Sequence, residues 1–590
     1  MNEAYAIPAV AVVVLATVLI GGFGLRISRT TSDFYVASRT VGPRLNAAAI
    51  SGEYLSAASF LGVAGLLLVH GPDMLWYPVG YTAGYLVLLV FVAAPLRRSG
   101  AYTLPDFAEG RLESRRVRRV VSMFVVGAGW LYLVPQLQGA GLTLQILTGA
   151  PRWFGAALVA MVVVLAVAAG GMRSITFVQA FQYWLKLTAL LVPAFFLLLA
   201  WRGQGGQPPA LSSGDLPPAG AGAGQPLATS RADHPLYATY GLIVATFLGT
   251  MGLPHVVVRF YTSPNGGAAR RTTVVVLALI GVFYLLPPLY GWLGRLYVPE
   301  LTAAQDADAT VLLLPGRVVD GVAGDLLGAL VAGGAFAAFL STASGLTMAV
   351  AGVVSQDVLP TRGVRHFRLG VVLAMAVALG GALLVDGVPV ADAVGMAFAV
   401  SASSFCPLLV LGIWWRRLTP PGALAGLFLG GGSALLAVTL TVSGAATSGW
   451  LHTLLAWPAV WSVPVGFLAM ILVSLATPEA IPPHTTATMT RLHLPETLKS
   501  QRSIAPKGRG ELREQPPTTV TAEGTGGRTA GGASEGRGEL REQPPTTGIR
   551  ETPQWTAAGG HQGRGEPRDQ PPTTGIRDAT GPTTARGEDQ

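Results

Sequence analysis

Three ionisable side chains stand inside apolar stretches of the sequence, where a charge is costly: Glu53, Lys186 and His255. Ionisable residues within a membrane-spanning segment usually face a substrate site, an ion site or a proton pathway. Glu53 follows a Ser-Gly pair and could act in proton coupling, as a field on a bound cation or in gating, with a structural ion pair as the alternative. Lys186 could pair with Glu53 or attract an anionic substrate. His255 could relay protons or serve a structural role alone.

Three oxygen-bearing residues share one helical face further along the chain. Ala338, Ser341 and Thr342 follow the spacing i, i+3 and i+4, which places them on one side of a helix. Two hydroxyls and a neighbouring carbonyl are ligands that suit a hard cation such as sodium. Hydroxyls in helices also bond the carbonyl four residues earlier, and the spacing alone favours that second interpretation.

Other polar side chains could contact a small solute. Ser56 and Ser59 follow Glu53 within the same apolar segment, and their hydroxyls could bond a carboxylate. Gln179 precedes Lys186 on one apolar stretch and could line the same cavity, with packing as an equally good explanation. These residues are therefore candidates for contact with the substrate or for coupling.

The composition decides which class of protein could carry these residues. The chain has 590 residues, of which 51% are hydrophobic and 12% are charged, whereas soluble proteins have about 25% charged residues. This composition excludes a single soluble domain and a disordered chain, and it predicts a polytopic protein within the lipid bilayer. Cys406 is the only cysteine, which excludes disulfide frameworks and cysteine-based metal sites.

Thirteen segments are long and apolar enough to cross a bilayer, which takes roughly 20 residues of helix. They cover about 5–26, 44–70, 74–96, 117–147, 152–171, 174–201, 237–262, 271–296, 323–356, 366–385, 390–415, 421–444 and 451–476. No basic segment precedes the first apolar run, so we expect a retained helix there rather than a cleaved signal peptide.

The arginines of the loops predict an orientation. With the N-terminus outside, the cytoplasmic loops contain 19 arginines, whereas the outer loops and span ends contain 5. This asymmetry obeys the positive-inside rule, so the basic residues mark cytoplasmic loops and not a nucleic-acid partner. We predict a multi-pass protein of the plasma membrane with a cytoplasmic C-terminal tail.

That tail, residues 477–590, differs from the rest of the chain. Its 14 basic residues balance 14 acidic ones, and it has no long apolar run. The unit GRGELREQPPTT occurs twice, and the variant GRGEPRDQPPTT follows. Such units cannot bury a core, so we predict a disordered tail. A docking role for the repeats is an open alternative.

Two predicted spans contain helix breakers near their middle. The second has Ser51-Gly52, and the seventh has Gly249, Gly252 and Pro254. Transporters built from inverted repeats bind their solutes where such helices unwind, since free carbonyls suit a cation and free N–H groups suit an anion. The two spans are five apart, and an odd offset inverts the topology of a repeat. We therefore predict two repeats, spans 2–6 and spans 7–11.

Six motifs occur in a characteristic order along the chain. They are SDFYVASRTVGP, ISGEYLSAASFLGVAG, YTLPDFAEGRL, GGMRSITFVQAFQYWLK, GLPHVVVRFYT and FLSTASGLTMAVAGVVSQDVL. In this order the chain resembles the sodium:solute symporter family over about residues 30–476, and within it the cation/acetate (monocarboxylate) permeases.

The resemblance implies an all-α polytopic membrane protein with a LeuT-like 5+5 inverted-repeat core and about 13 transmembrane helices. The expected parts are an N-terminal flanking helix in 1–30, the ten-helix core in 31–418, two flanking helices in 419–476 and the disordered tail in 477–590. This architecture agrees with the repeats inferred from the helix breakers.

The resemblance also implies a sodium site between the break in the first core helix and a Ser/Thr pair in the eighth. Carried onto this sequence, the ligands are the backbone carbonyls of Gly52, Leu55 and Ala338 and the hydroxyls of Ser341 and Thr342. Several relatives have an aspartate where this chain has Gln179, which argues against a second sodium site with a carboxylate. We expect one coupling sodium ion and no organic cofactor.

The function implied is a secondary active symporter that imports a small, acetate-like monocarboxylate with a cation, and not an enzyme. One alternative is a sodium- or proton-coupled symporter for another solute, such as an amino acid, urea or a vitamin. A second is a transporter-like sensor acting through the tail. A channel is a third, which the paired helix breaks disfavour.

Overall fold

The computed structural model of the chain describes residues 3–28, 30–203, 234–302, 307–359, 363–384, 390–445 and 447–496. Within these ranges the helices pack side by side around one buried core. The predicted all-α class is therefore confirmed. Residues 497–590, most of the predicted disordered tail, lie outside the described residues.

The described chain up to Gly203 forms the first nine helices of the bundle. They are α1 (Glu3–Ile27), α2 (Thr31–Val36), α3 (Pro43–Tyr54), α4 (Val63–His70), α5 (Trp76–Phe91), α6 (Ala93–Ser99), α7 (Leu104–Leu112), α8 (Arg115–Thr148) and α9 (Arg152–Gly203). A π-helical turn at Ala58–Gly62 leads into α4.

The described chain from Pro235 to His493 adds thirteen more helices. They are α10 (Pro235–Gly252), α11 (Pro254–Phe260), α12 (Gly266–Phe283), α13 (Leu286–Tyr297), α14 (Thr310–Val318), α15 (Gly321–Val353), α16 (Val364–Leu384), α17 (Val390–Trp414), α18 (Pro420–Gly426), α19 (Ser433–Val442), α20 (Gly449–Ala456), α21 (Ala459–Ala476) and α22 (Thr485–His493).

The membrane spans correspond to the predicted segments. Ten described helices are long and apolar enough to span a bilayer, and two further spans are bent helix pairs. Helix α9 has 52 residues, or about 78 Å at 1.5 Å per residue, enough for two crossings of a hydrocarbon core about 30 Å thick. It is interrupted at Gly171, where φ is 56° and ψ is −151°. Counting its two arms separately gives the thirteen predicted spans.

Both predicted helix breaks are present. Helix α3 and the segment Ala58–His70 meet at 70°, and α10 and α11 meet at 41°. The second break lies at Leu253, directly before Pro254, whose ring and missing N–H prevent α10 from continuing.

The first break lies after Tyr54, a few residues later than the predicted Ser51-Gly52. Gly52 stays helical within α3. A Cβ at Gly52 would overlap the backbone carbonyl of Gln179, so this glycine permits close packing of α3 on α9. The prediction placed the break in the correct span, but Gly52 itself allows α3 to pack closely on α9 and does not unwind the helix.

Helices α15 and α17 are the most deeply buried of the long described helices, and α15 packs against α9, α8, α1 and α3. Its middle part is rich in glycine, alanine and serine, and such small residues let helix backbones approach closely. Ser341 and Thr342 consequently lie fully buried beside the first helix break.

One end of the bundle carries Arg98, Arg111 and Arg118, and we call it the arginine-rich end. Residues 477–496, predicted to begin the disordered tail, fold against this end. Helix α22 packs on α6 and α7, and Nε of Arg98 lies 3.4 Å from Oε2 of Glu496. The segment can fold because buried Leu492 and its neighbours provide an apolar face that the later repeats lack.

Candidate functional site

Glu53 forms a buried ion pair with Arg259 next to the first helix break. Oε2 of Glu53 lies 2.5 Å from Nε of Arg259, and the two side chains are 3% and 1% exposed. Arg259 also donates from Nη1 to Oγ1 of Thr176 at 3.0 Å. Arg259 of α11 thus takes the place of Lys186 as the partner of this carboxylate.

Lys186 instead points at the oxygen atoms that were predicted to bind sodium. Its Nζ donates to the backbone carbonyl of Gly52, to that of Leu55 at 2.7 Å and to Oγ of Ser341 at 2.9 Å. The lysine side chain is fully buried. Three of the five predicted ligands therefore contact one amino group, that of Lys186 on α9.

The remaining two predicted ligands belong to the same cluster. Oγ of Ser341 donates to the carbonyl of Ala338 at 3.0 Å, and Oγ1 of Thr342 donates to the carbonyl of Glu53 at 2.6 Å. Gln179 donates from Nε2 to the carbonyl of Ser341 at 2.8 Å. The structure thus brings all five predicted ligands together and places Gln179 beside them.

The three hydrogen bonds of Lys186 match the three donors of an ammonium group. The carbonyls of Gly52 and Leu55 can only accept, and Ser341 uses its own hydrogen on Ala338, so Lys186 donates three times. A neutral amine has two N–H groups, whereas an ammonium has three.

These oxygens suit sodium in type, but the ammonium already holds three of them. A second cation about 4 Å from the ammonium would be repelled by about 4 kcal/mol at an effective dielectric constant of 20. Sodium and the Lys186 ammonium therefore do not fit this oxygen set together.

The polar candidates that follow the first break have different partners. The N–H of Ala57 donates to Oε1 of Gln136 at 3.0 Å, and Nε2 of Gln136 has no hydrogen-bond partner among the described residues. Ser59 shares a hydrogen bond of 2.8 Å with the hydroxyl of Tyr284. Ser56 stands in the break close to Tyr132. Ser59 is therefore engaged, while Gln136 keeps a donor for a solute.

His255 lies at the second break, one residue after Pro254, and is 1% exposed. Its ring centroid is 5.3 Å from that of Tyr132. In the part of the chain that the structure describes, neither ring nitrogen has a hydrogen-bond partner. The structure thus places His255 and Ser56 around Tyr132, between the two breaks.

Four aromatic side chains pack together beside the breaks, and we call them the aromatic layer. It consists of Tyr54, Tyr81, Tyr132 and Phe398. The centroid of Phe398 lies 4.9 Å from that of Tyr81 and 6.0 Å from that of Tyr132. Beyond the layer is a cavity of about 290 Å³ whose lining includes His70, Tyr77, Asp392 and Trp457. The ring of Tyr77 lies 5.9 Å from that of Tyr81, so this cavity adjoins the aromatic layer.

A second charged cluster lies at the arginine-rich end. Arg118 contacts Asp106 at 2.8 Å, Glu109 at 2.5 Å and Asp357 at 2.6 Å. Nearby, Arg111 donates from Nε to the carbonyl of Gly412 at 2.9 Å, and burial lowers the pKa of its guanidinium to about 10. This cluster joins α7 and α8 to the end of α15.

The sequence did not reveal the roles of two residues of the site. Its position near the end of the predicted span 237–262 favoured a helix-end anchor for Arg259, whereas the structure pairs it with Glu53. Gly345 lies on α15 against the Glu53 carboxyl group, where a Cβ would overlap Oε1. One glycine among many in α15 gives no comparable signal in the sequence.

Comparisons with known proteins agree with this architecture. Residues 34–430 match the family model described as the sodium:solute symporter family. The uncharacterized symporter YwcA of Bacillus subtilis (strain 168) is 32% identical over 470 residues, which cover 77% of this chain and 90% of that protein.

A solved structure, the substrate-bound outward-open state of a Na+-coupled sialic acid symporter, has a similar fold. Its TM-score is 0.60 at 13% identity, and the match covers 80% of this chain and 97% of that chain. At this identity the likeness concerns the fold alone. The predicted fold class, an all-α protein with a LeuT-like core, is confirmed.

Proposed function

The chain belongs to the sodium:solute symporter family, and on that premise we propose that it imports a small, acetate-like monocarboxylate together with a cation. Family and fold make it a multi-pass membrane transporter. Alternating access would expose the two helix breaks first to one side of the membrane and then to the other. The distribution of arginines along the sequence predicts that the arginine-rich end lies in the cytoplasm. An inward gradient of the coupling cation would then drive import.

The observation that carries the choice of a monocarboxylate is the charge balance at the breaks. Glu53 and Arg259 neutralise each other at 2.5 Å, and the Lys186 ammonium adds one unpaired positive charge. A buried charge is stable only when a partner compensates it. One carboxylate supplies that compensation, whereas a neutral solute such as urea does not.

Groups for binding the carboxylate lie at the first break. The segment Ala58–His70 begins there, and the N-terminal end of a helix favours an anion. Nε2 of Gln136 is a free donor at the same place. The small organic part would contact the aromatic layer. Ser56 and His255 are candidates for further polar contacts.

Two coupling ions are candidates. The family and the Na+-coupled fold neighbour support sodium. The Lys186 ammonium on the predicted sodium ligands supports a proton, because a lysine can carry and release one. In either case one positive charge moves with one carboxylate, so transport would be electroneutral.

Uptake into proteoliposomes containing the purified full chain tests the proposal. Labelled pyruvate is the suitable probe, because undissociated acetic acid crosses lipid unaided. Protein-free vesicles give the background. Unlabelled acetate, propionate, acetamide, alanine and urea are then added as competitors. Acetamide has the shape of acetate without its charge, so it isolates the role of the carboxylate.

The proposal predicts saturable pyruvate uptake that acetate and propionate inhibit and acetamide does not. Inhibition by alanine or urea with none by acetate would assign the chain to another solute. A folded protein that binds acetate but moves no solute under any gradient would favour the sensor alternative.

A further inference from the structure

We propose that a groove on the outer face of the bundle binds an anionic phospholipid of the cytoplasmic leaflet. The groove lies between α3, α9 and α12 and has a volume of about 530 Å³. Arg44 would bind the phosphate, and the apolar walls would hold an acyl chain. The inference goes beyond the proposed function, because it concerns a lipid partner and not the transported solute.

The walls of the groove are apolar and face away from the core of the bundle. Phe181 and Trp184 of α9 line it and are 40% and 54% exposed. Ala48 of α3 and Ala180 of α9 line it as well, and their small side chains leave space between the helices. The outer surface of membrane-spanning helices meets lipid hydrocarbon, so the shape and composition of this groove suit an acyl chain.

The groove begins at the arginine-rich end. Just before α3, Nη2 of Arg39 donates to the carbonyl of Gly100 at 2.6 Å, close in sequence to Arg98. At the start of α12, the N–H of Gly266 donates to Oε1 of Glu496 at 2.9 Å, and Glu496 also contacts Arg98. Helices α3 and α12 therefore both start at this end, which the distribution of arginines predicts to be cytoplasmic.

The cytoplasmic end of the groove carries unbalanced positive charge. Arg44 lines the groove and has no ion pair or hydrogen bond among the described residues. Arg271 is exposed, equally unpaired in that part of the chain, and one turn before Val275 on the face of α12 that lines the groove. Arg173 of α9 is instead held by Asp33 at 2.8 Å. Arg44 and Arg271 are therefore available to a phosphate group.

The length of the groove fits a lipid better than a soluble phosphate. Arg271 and Leu279 are eight residues apart on α12, or about 12 Å at 1.5 Å per residue. One leaflet contributes about 15 Å of hydrocarbon, half of the bilayer core. A lipid with its phosphate at Arg44 and Arg271 would therefore extend one chain along Val275 to Leu279 and Trp184. A soluble phosphate would leave these apolar walls uncovered.

A lipid in the groove would bridge three helices that meet near the first break. Ala48 lies one turn before Gly52, whose close packing on Gln179 joins α3 to α9. The hydroxyl of Tyr183 on α9 donates to the carbonyl of Leu279 on α12 at 3.0 Å. An occupied groove would stabilise this three-helix contact, so lipid binding should raise the unfolding temperature.

A first experiment tests the charge of the lipid. Native mass spectrometry of the purified full chain in detergent compares phosphatidylglycerol with phosphatidylcholine of identical acyl chains. We expect wild type to bind phosphatidylglycerol roughly thirtyfold more tightly, the effect of two basic residues near an anionic surface. Arg44→Gln/Arg271→Gln should bind both lipids about equally. The control Arg270→Gln removes the same charge beside Arg271 but on a different face of α12, and it should behave as wild type.

A second experiment tests the acyl chain. The unfolding temperature in detergent is measured with phosphatidylglycerol and with glycerol 3-phosphate. We expect a rise with the lipid alone, its loss in Ala180→Phe, which fills the groove, and its retention in Phe196→Ala, which removes an exposed aromatic ring of α9 outside the groove.

Two results would overturn the proposal. One is equal stabilisation by glycerol 3-phosphate, which would assign the arginines to a soluble phosphate. The other is a preference for phosphatidylglycerol that persists in folded Arg44→Gln/Arg271→Gln. If Ala180→Phe does not fold, Trp184→Ala tests the same wall and is expected to lose the rise. Neither experiment uses pyruvate, so the lipid site and the proposed function fail separately.

Discussion

Two cationic clusters of this protein, one partly exposed and one buried, differ in their charge balance. At the arginine-rich end, Arg118 is surrounded by three carboxylates at 2.5 to 2.8 Å. At the helix breaks, Lys186 contacts carbonyl and hydroxyl oxygens alone among the described residues, while the nearby Glu53 pairs with Arg259. Arg118 has three carboxylate partners, whereas Lys186 has no carboxylate in direct contact among the described residues.

The difference separates a structural network from a site that awaits a ligand. The carboxylates around Arg118 come from α7 and from the turn after α15, so the arginine joins elements and leaves no charge for a solute. The ammonium of Lys186 is hydrogen-bonded, but its charge is uncompensated. Such a site would gain stability from an arriving anion, as the proposed carboxylate transport requires.

Breaking the Glu53–Arg259 pair should have the largest effect on the break cluster. Glu53→Gln leaves two buried positive charges without an acid, and removal of one member of a buried pair costs about 3–5 kcal/mol. We expect a large fall in the unfolding temperature and in folded yield. The double variant Glu53→Gln/Arg259→Met should recover part of the stability. A double variant less stable than the single one would contradict this account.

Removing Arg118 should break the structural cluster and spare transport. Arg118→Met leaves three carboxylates close together, and loss of hydrogen bonds to charged groups costs about 2–3 kcal/mol. We expect a lower unfolding temperature but unchanged pyruvate exchange per folded molecule. Lys186→Met should instead leave the unfolding temperature nearly unchanged and abolish pyruvate exchange. Loss of exchange in a folded Arg118→Met protein would remove the distinction between the two clusters.

Two glycines of α15, Gly345 and Gly352, differ in whether they pack against Glu53. A Cβ at Gly345 would overlap the Glu53 carboxyl group, whereas at Gly352 the nearest atoms lie at 3.8 Å or more. Overpacking typically costs about 1–3 kcal/mol. Gly345→Ala should therefore lower the unfolding temperature, and Gly352→Ala should leave it nearly unchanged. Equal effects of the two substitutions would show that Glu53 is not held as tightly as described.

The smallest effect concerns the docking of α22 at the arginine-rich end. Burial raises the pKa of Glu496, but hydrogen bonds from the Gly266 N–H and from Arg98, with the charge of Arg98, outweigh it and lower the pKa overall. A lowered folded pKa stabilises above the unfolded value and loses that contribution as the pH falls through the folded value.

Hydrogen exchange of residues 485–493 can follow this docking. Protection should decrease as the pH falls below 4.5, the ordinary value for this carboxyl group, after correction for intrinsic exchange rates. Glu496→Gln should remove the pH dependence at a cost below about 1 kcal/mol, as for an exposed pair. A pH dependence that persists in Glu496→Gln would assign the effect to another group.

Much of the fold was predictable because membrane spans are long, apolar and bounded by charged loops. The second helix break was predicted at the right place, since Pro254 dictates it locally. The first was displaced to Leu55, because whether Gly52 unwinds or packs depends on its approach to Gln179, a contact between distant parts of the chain.

The site could be predicted only in part, because its contacts also join distant parts of the chain. The resemblance named oxygens that do lie together, from Gly52 to Thr342. Which cation occupies them depends on the reach of Lys186 across the bundle, and which base pairs with Glu53 depends on how α11 is turned after its break. Neither is encoded in local spacing, so the roles of Lys186 and Arg259 required three-dimensional structure.

The most direct test of the account compares two gradients across the same vesicles. Wild-type protein is reconstituted, and the initial rate of labelled pyruvate uptake is measured with an inward sodium gradient at equal pH and with an inward pH gradient in choline without sodium. We predict accumulation above the background of protein-free vesicles under one of the two gradients, and the gradient that drives it identifies the coupling ion. Accumulation under neither gradient by a folded protein would contradict the proposal of a cation-coupled monocarboxylate symporter.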